Sequence, residues 1–320
     1  MRIALAGATG TIGQAALRAL RRRGHDVTCF IRPGSGGGEA LAAAGAGLRE
    51  VDVTQPGSFA RDGFGGERYD AVMSCMASRT GAPKDAWAVD HRAHLDLLAA
   101  AQDAGAAHFV QLSAICVQKP LLAFQHAKLA FEAQLTASGM RYSIVRPTAF
   151  FKSLSGQIGR VRQGKPFLIF GTGELTACKP ISDGDLAAFL ANCLEDPTLW
   201  NRILPIGGPG DAITPRQQGE RLFSLLGRPP LFRSAPVGLL DGIIAVLGLA
   251  SAVAPPLVEK AELARIGRYY ATESMLWLDP ETNRYDAERT PSTGAETLFD
   301  YYQTVLAGDA APDLGAHAVF

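Results

Sequence analysis

The first thirteen residues constrain this chain most. Arg2-Ile3-Ala4-Leu5-Ala6 is a short apolar run, the pattern of a strand buried on both faces. Gly7-Ala8-Thr9-Gly10-Thr11-Ile12-Gly13 follows at once. Gln14 to Arg23 then has helix composition, with Gly24 placed to cap it. Glycines three apart let the backbone turn sharply and approach a pyrophosphate. The following helix offers free N–H groups and a positive dipole end to that anion. Strand, glycine loop and helix in this order predict a dinucleotide-binding βαβ start of the G-x-x-G-x-x-G form. Gly7, Thr9, Gly10, Thr11, Ile12 and Gly13 are its expected cofactor contacts.

The same alternation continues. Asp26 to Ile31 predicts a second strand, with Arg32 at its end. A site for NAD usually has an acid here, accepting from the ribose 2′-hydroxyl. Arg32, followed by Gly34 and Ser35, instead suits the 2′-phosphate of NADPH. Leu48 to Val53 predicts a third strand, whose terminal Asp52 and Val53 are expected at the adenine ring. Ala71 to Met76 predicts a fourth, with Cys75, Met76 and Ala77 facing the middle of the cofactor. Asp85 to Ala104 reads as a helix with an apolar stripe of Trp87, Leu95, Leu98 and Ala99. A strand to Ser113, a helix from Leu121 to Ser138 and a strand from Tyr142 to Arg146 follow. Pro147 ends that strand, and Pro147 and Thr148 complete the expected cofactor contacts.

The expected fold is therefore α/β: a Rossmann-type doubly wound parallel sheet over residues 1–150. Beyond Phe150 the alternation loosens. Residues 151–320 are expected to form a smaller C-terminal substrate lobe that returns some strands and helices to the core. Phe167 to Phe170 and Ala177 to Ser182 read as short strands, and Asp183 to Glu195 as a helix. Thr214-Pro215-Arg216-Gln217 and Thr293-Gly294-Ala295-Glu296 read as capping boxes that open two further helices.

Composition narrows the function classes. With 31 basic and 31 acidic residues there is no footprint for nucleic acid. Arg21-Arg22-Arg23 lies at a helix C-terminus and reads as solvated surface. Five scattered cysteines without a C-x-x-C pair suggest reduced, mostly buried thiols. The chain starts directly with a strand, so no signal peptide is expected, and the protein reads as cytoplasmic. The six histidines lack metal-ligand spacing, so no metal is expected. The most apolar run is Val237 to Val253, in which Leu239, Leu240, Ile243, Ile244 and Leu247 share a helical face. A spanning helix needs about 20 apolar residues. Asp241 interrupts this run and Pro255-Pro256 ends it, so a packed helix lining an apolar pocket is expected, with at most peripheral membrane contact.

Short-chain reductases place a serine at the end of the fifth strand and a Tyr-x-x-x-Lys on the next helix. Ser113 and Lys128 occupy the serine and lysine positions and are the candidate catalytic residues. Lys128 is also a candidate ligand of the nicotinamide ribose. The tyrosine position, one helical turn before Lys128, holds Phe124. Phenylalanine has no proton to give a developing alkoxide, which argues against carbonyl reduction. Either another hydride transfer takes place or the domain no longer catalyses. His126 is expected to face solvent, and Cys116 and Lys119 lie in the loop over the expected site. Lys152 and Lys179 are candidates to meet a substrate carboxylate.

Several long runs carry a more specific resemblance. They are Ser74-Cys75-Met76-Ala77-Ser78-Arg79-Thr80-Gly81, Gln111 to Leu122, Arg146 to Leu154, Ala177-Cys178-Lys179-Pro180-Ile181-Ser182, Pro205 to Gly210, Ile266 to Ala271 and the terminal Ala318-Val319-Phe320. From end to end the chain resembles the divinyl chlorophyllide 8-vinyl-reductases, an atypical branch of the short-chain reductases. The resemblance implies NADPH-dependent reduction of the 8-vinyl group of a magnesium-containing tetrapyrrole to ethyl, with a site at most peripheral to a photosynthetic membrane. A vinyl group conjugated to a macrocycle can take hydride without an oxyanion acid, which agrees with Phe124. Two alternatives remain at this point: a non-catalytic NADP-binding regulator, or a reductase of another conjugated double bond.

Overall fold

The structure, a computed structural model, describes residues 1–251 and 257–308. The end of the apolar run with Pro255-Pro256, and the terminal Ala318-Val319-Phe320, lie outside them. The chain divides into two compact units. One holds residues 1–147 and 183–204, the other residues 148–182 and those from 205 onward.

In the first unit, β1 (Arg2–Ala6), α1 (Thr11–Arg22), β2 (Asp26–Ile31), α2 (Gly38–Ala43) and β3 (Gly47–Glu50) lead to β4 (Ala71–Ser74). Then come α3 (Pro83–Ala86), α4 (His94–Asp103), β5 (His108–Leu112), α5 (Ala123–Ala137) and β6 (Arg141–Pro147). The chain continues through α6 (Ile158–Arg162) and β7 (Phe167–Phe170), and rejoins the first unit as α7 (Asp183–Glu195) and β8 (Arg202–Ile206). The sheet order is β3-β2-β1-β4-β5-β6-β8. Strands β1 to β6 pair in parallel, and Ile3 of β1 stands opposite both Val27 and Ala71. The winding reverses between β1 and β4. In doubly wound sheets the carboxyl ends of the strands open a ligand crevice at that reversal.

β4 and β5 are buried along their whole length, which is why they read as unbroken apolar runs. Phe30, Phe64 and Tyr69 meet edge to face at one side of the core, and Phe109 and Phe131 pack deeper in it. α1 buries Ile12, Ala15, Ala16, Leu17, Ala19 and Leu20. Two expectations fail here. Trp87 is 36% exposed and meets His91 edge to face, and Ala99 is exposed too, so neither is part of the buried stripe. Arg23 is not solvated surface like Arg21 and Arg22. Its guanidinium donates to the Ala188 carbonyl at 3.3 Å, Asn192 at 2.5 Å and Glu195 at 2.9 Å, tying the end of α1 to α7.

The second unit adds α8 (Pro215–Leu225), β9 (Phe232–Ala235), α9 (Val237–Ser251), α10 (Leu257–Thr272), β10 (Trp277–Leu278), β11 (Tyr285–Asp286) and α11 (Leu298–Ala307). Its core gathers Phe151, Phe167, Leu222, Phe223, Leu298 and Tyr302. Thr214 caps α8 as expected: its hydroxyl accepts from Gln217 N at 3.3 Å, and Gln217 Oε1 accepts from Thr214 N at 2.8 Å. The cap of α11 is Thr297, not Thr293. Thr297 Oγ1 accepts from Asp300 N at 3.2 Å, whereas Gly294 sits at φ +83°, where no right-handed helix can run. Ala177 to Ser182 forms isolated bridges, Cys178 to Ile213 and Ile181 to Phe150, and no strand. Pro180 has no N–H to donate to a ladder there.

α9 packs along α10, but none of its residues is buried. Leu239, Ile243, Val246 and Leu249 are 40–79% exposed. Leu239, Ile243 and Val246, with Gly238, Gly242 and Leu247, line an open apolar groove, so the helix does line an apolar hollow but is not packed into a core as the sequence suggests. No described helix is long and apolar enough to cross a membrane.

Two buried histidines make the fold sensitive to acid. Burial pushes both His94 and His108 down to about 4, with the nearby charges of Lys128 and Arg141 adding to it. The unfolded chain takes up protons below its ordinary value of 6.5, while the folded chain does not until about 4. The contribution of both rings is therefore complete above the ordinary value of 6.5 and is lost progressively as pH drops toward 4. Across the upper part of the window, pH 6.5 to 5, up to two protons separate the states, a slope approaching about 2.7 kcal/mol per pH unit. Urea midpoints should fall steadily over that interval; midpoints independent of pH would contradict the burial of these two rings.

Candidate active site

The glycine loop joins β1 to α1 and presses against the end of β4. Gly7 sits at φ +75°, and a Cβ there would lie 2.5 Å from the Cys75 carbonyl carbon. A Cβ on Gly13 would lie 2.1 Å from Gly7 O, so only glycine lets the first turn of α1 close on the loop. Gly10 caps α1 without a side chain, and no acid occupies the first turn. Gln14 Nε2 donates to Thr9 O at 3.0 Å and fixes the loop's shape. A close backbone approach and an acid-free helix start are what a dinucleotide pyrophosphate requires, so these residues fit the cofactor.

The other expected contacts lie at the carboxyl ends of the strands. Cys75, Met76 and Ala77 follow β4, and Ser113 follows β5. Pro147 closes β6, and Thr148 begins the second unit. Arg32 follows β2 and is exposed; Ser35 N and Oγ both donate to its carbonyl, at 3.0 and 2.6 Å, making a tight turn. Its guanidinium has no partner among the described residues. Asp52 and Val53 follow β3 and are half-buried. The Asp52 carboxylate accepts from Thr54 Oγ1 at 2.7 Å and Thr54 N at 3.0 Å, and these bonds hold it below the usual carboxylate range.

α5 carries the densest chemistry. Its start is fixed by Gln125, fully buried, whose Oε1 accepts from Leu121 N and Leu122 N at 2.7 and 2.9 Å. The Gln125 amide also donates to Cys116 O at 3.1 Å, so one side chain anchors both the helix and the loop before it. Phe124, Lys128 and Glu132 follow at one-turn spacing. His126 points to solvent.

Lys128 is 7% exposed, and its Nζ lies 2.9 Å from Asp90 Oδ1. Asp90 is 1% exposed and sits on a π-helical turn, Trp87–Ala93, that packs against α5. Asp90 Oδ1 also accepts from Ser78 N at 3.2 Å, while Oδ2 is buried without a partner. One turn beyond Lys128, Glu132 forms an ion pair with Arg146 of β6 and accepts the Ser113 hydroxyl hydrogen at 2.5 Å. The Ser113 hydroxyl is thereby committed as a donor, with its lone pairs still available. His94 completes the frame. Its Nδ1 donates to Val89 O at 2.8 Å, which leaves Nε2 to accept from Ser74 at 2.9 Å. Ser74 Oγ accepts in turn from Met76 N at 3.3 Å, linking the loop after β4 to the turn that carries Asp90.

Sequence reading offers Ser113 and Lys128 as candidates and does not single out Asp90, Glu132 and Arg146, which the structure places in bonded contact around them. Only Glu132 carries a local signal, lying four residues after Lys128 on the same helix. Asp90 and Arg146 reach the site from separate elements. Lys152 and Lys179 lie in the second unit.

Residues 7–197 match a family model described as NAD(P)H-binding. A chloroplastic divinyl chlorophyllide a 8-vinyl-reductase of Oryza sativa subsp. indica is 50% identical over 331 aligned positions, covering 99% of this chain and 82% of that protein. The chain belongs to the divinyl chlorophyllide a 8-vinyl-reductase family. It is thus an oxidoreductase by family, built on an NAD(P)H-binding domain. Among solved structures, the fold is like that of an NADPH-dependent quinone oxidoreductase of Escherichia coli in complex with NADPH. The TM-score is 0.67 at 17% identity over 95% of this chain and 99% of that one. It is also like AtPrR2 with NADP+ and (+)pinoresinol, with a TM-score of 0.68 at 16% identity over 94% and 97%.

The buried Lys128–Asp90 pair can be tested by stability alone. Asp90→Ala leaves a cation in a nearly dry place and should destabilise the fold by about 3–5 kcal/mol. Asp90→Ala with Lys128→Met should recover much of that loss, because no charge is then stranded. A double-mutant cycle from urea unfolding measures the coupling. Additive losses would show that the two groups do not interact.

Proposed function

We propose that the protein uses NADPH to reduce the 8-vinyl group of a magnesium-containing 3,8-divinyl chlorophyllide to ethyl, a step in chlorophyll or bacteriochlorophyll formation. The observation that carries this reading is the end-to-end similarity to the rice reductase, 50% identical over 99% of the chain. Phe124 supports it chemically, because a conjugated vinyl group needs no oxyanion acid.

The glycine loop, Gly7 to Gly13, receives the pyrophosphate. Arg32, with no partner of its own, pairs with the 2′-phosphate, and the Asp52–Val53 turn borders the adenine. Lys128 donates to the nicotinamide ribose hydroxyls while Asp90 fixes its direction. When bound, NADPH supplies a hydride to the outer carbon of the vinyl group. The negative charge left behind spreads into the macrocycle, and a proton must then reach the inner carbon. Ser113 already gives its hydrogen to Glu132, so it serves better as an acceptor than as the acid. Lys128 Nζ carries further N–H groups beyond the one facing Asp90. The proton comes either from Lys128 through a water or from solvent. The exposed apolar row Leu239, Ile243, Val246 and Leu249 of α9 supports a peripheral contact with pigment-bearing membrane.

Mixing the protein with NADPH and 3,8-divinyl chlorophyllide should give the 3-vinyl, 8-ethyl product, read as a blue shift of the Soret band in step with NADPH loss. Arg32→Ala should weaken NADPH more than NADH, by about tenfold or more, because a charge-assisted contact worth about 1.5–3 kcal/mol is lost. Equal losses would remove Arg32 from the cofactor site. Folded, NADPH-binding protein that leaves the pigment spectrum unchanged would overturn the reductase reading in favour of an NADP-binding regulator.

A further inference from the structure

Lys179 stands on a segment whose backbone is held unusually tightly. Its carbonyl accepts from the Thr148 hydroxyl and, at 3.2 Å, from Gly208 N. A Cβ on Gly207 would lie 2.9 Å from Lys179 Cβ, and one on Gly208 would lie 1.8 Å from Pro180 O. Only glycine permits that approach. On either side, Cys178 exchanges two backbone bonds with Ile213, at 3.1 and 2.8 Å, and Ile181 N donates to Ala149 O at 2.9 Å. Thr148 directly follows β6 and Gly207 directly follows β8. The Lys179 backbone is therefore pinned within the second unit by Thr148 and Gly208.

Its side chain is held by neutral groups. Nζ lies 3.3 Å from Thr290 O and 3.4 Å from Ser292 Oγ. Among the described residues it has no acidic partner. Neutral acceptors at these long distances orient an ammonium without neutralising it. A half-buried cation set in this way on a rigid backbone is suited to an incoming anion.

We propose that Lys179 binds the free propionate carboxylate of the tetrapyrrole and so makes the protein selective for free-acid over esterified pigment. This rests on the pigment-reductase reading above and adds the group by which the substrate is held. The carboxylate accepts one Nζ hydrogen, and no bond is made or broken.

The test compares divinyl chlorophyllide a with its propionate methyl ester, which keeps the macrocycle and loses the charge. Binding is read by quenching of pigment fluorescence without NADPH, and turnover as kcat/KM with it. The wild-type protein should favour the free acid about tenfold in both measurements. Lys179→Gln should bring the ratio to about one, and Lys179→Arg should keep most of it. A wild-type ratio near one overturns the proposal with no variant needed. So does a ratio that survives Lys179→Gln. Reduction of neither pigment, with a tenfold binding ratio intact, would instead defeat the reductase reading and leave the carboxylate site standing.

Discussion

Two ion pairs set one helical turn apart on α5 brace the first unit. Lys128 meets Asp90, and Glu132 meets Arg146 while taking the hydrogen of Ser113. All four groups are largely buried, where a lone charge would cost several kcal/mol, and within each pair the charges cancel. That balance explains why a π-helical turn is tolerated at Trp87–Ala93: it carries Asp90 to the helix face that bears Lys128. His94, Ser74 and Met76 tie the same turn to the end of β4, and Gly7 packs on that end from the other side. The glycine loop and α5 are therefore braced against one strand terminus.

Much of this was legible in the sequence because it is local. The apolar run of β1, glycines at fixed spacing and the Thr214 capping box each act within a few residues. Ser113 and Lys128 stand out as candidates by the serine and Tyr-x-x-x-Lys pattern of short-chain reductases. Asp90 and Arg146 were not, since their meaning arises from partners on other elements. Sequence alone does not decide the cap of α11, because Thr293 and Thr297 both have an acid three residues on. Only the positive φ of Gly294 decides between them. Ala177 to Ser182 looked like a strand by composition, but Pro180 and the close passage of Gly207-Gly208 confine it to bridges.

The absence of a tyrosine at position 124 ceases to be a defect once the acceptor is a conjugated vinyl group. A carbonyl concentrates charge on one oxygen and demands an acid there. A vinyl group on a macrocycle disperses it, so the site can rely on alignment and on an ion-paired lysine. Phe124 then contributes an apolar surface where a hydroxyl would be left unpaired.

The fate of the transferred hydrogen tests this chemistry most directly. NADPH deuterated on the transferred face, with 3,8-divinyl chlorophyllide and the protein, should place the label on the terminal carbon of the new ethyl group, with the inner carbon gaining its hydrogen from solvent. Label on the inner carbon would mean that charge does not disperse into the macrocycle, and would contradict the mechanism.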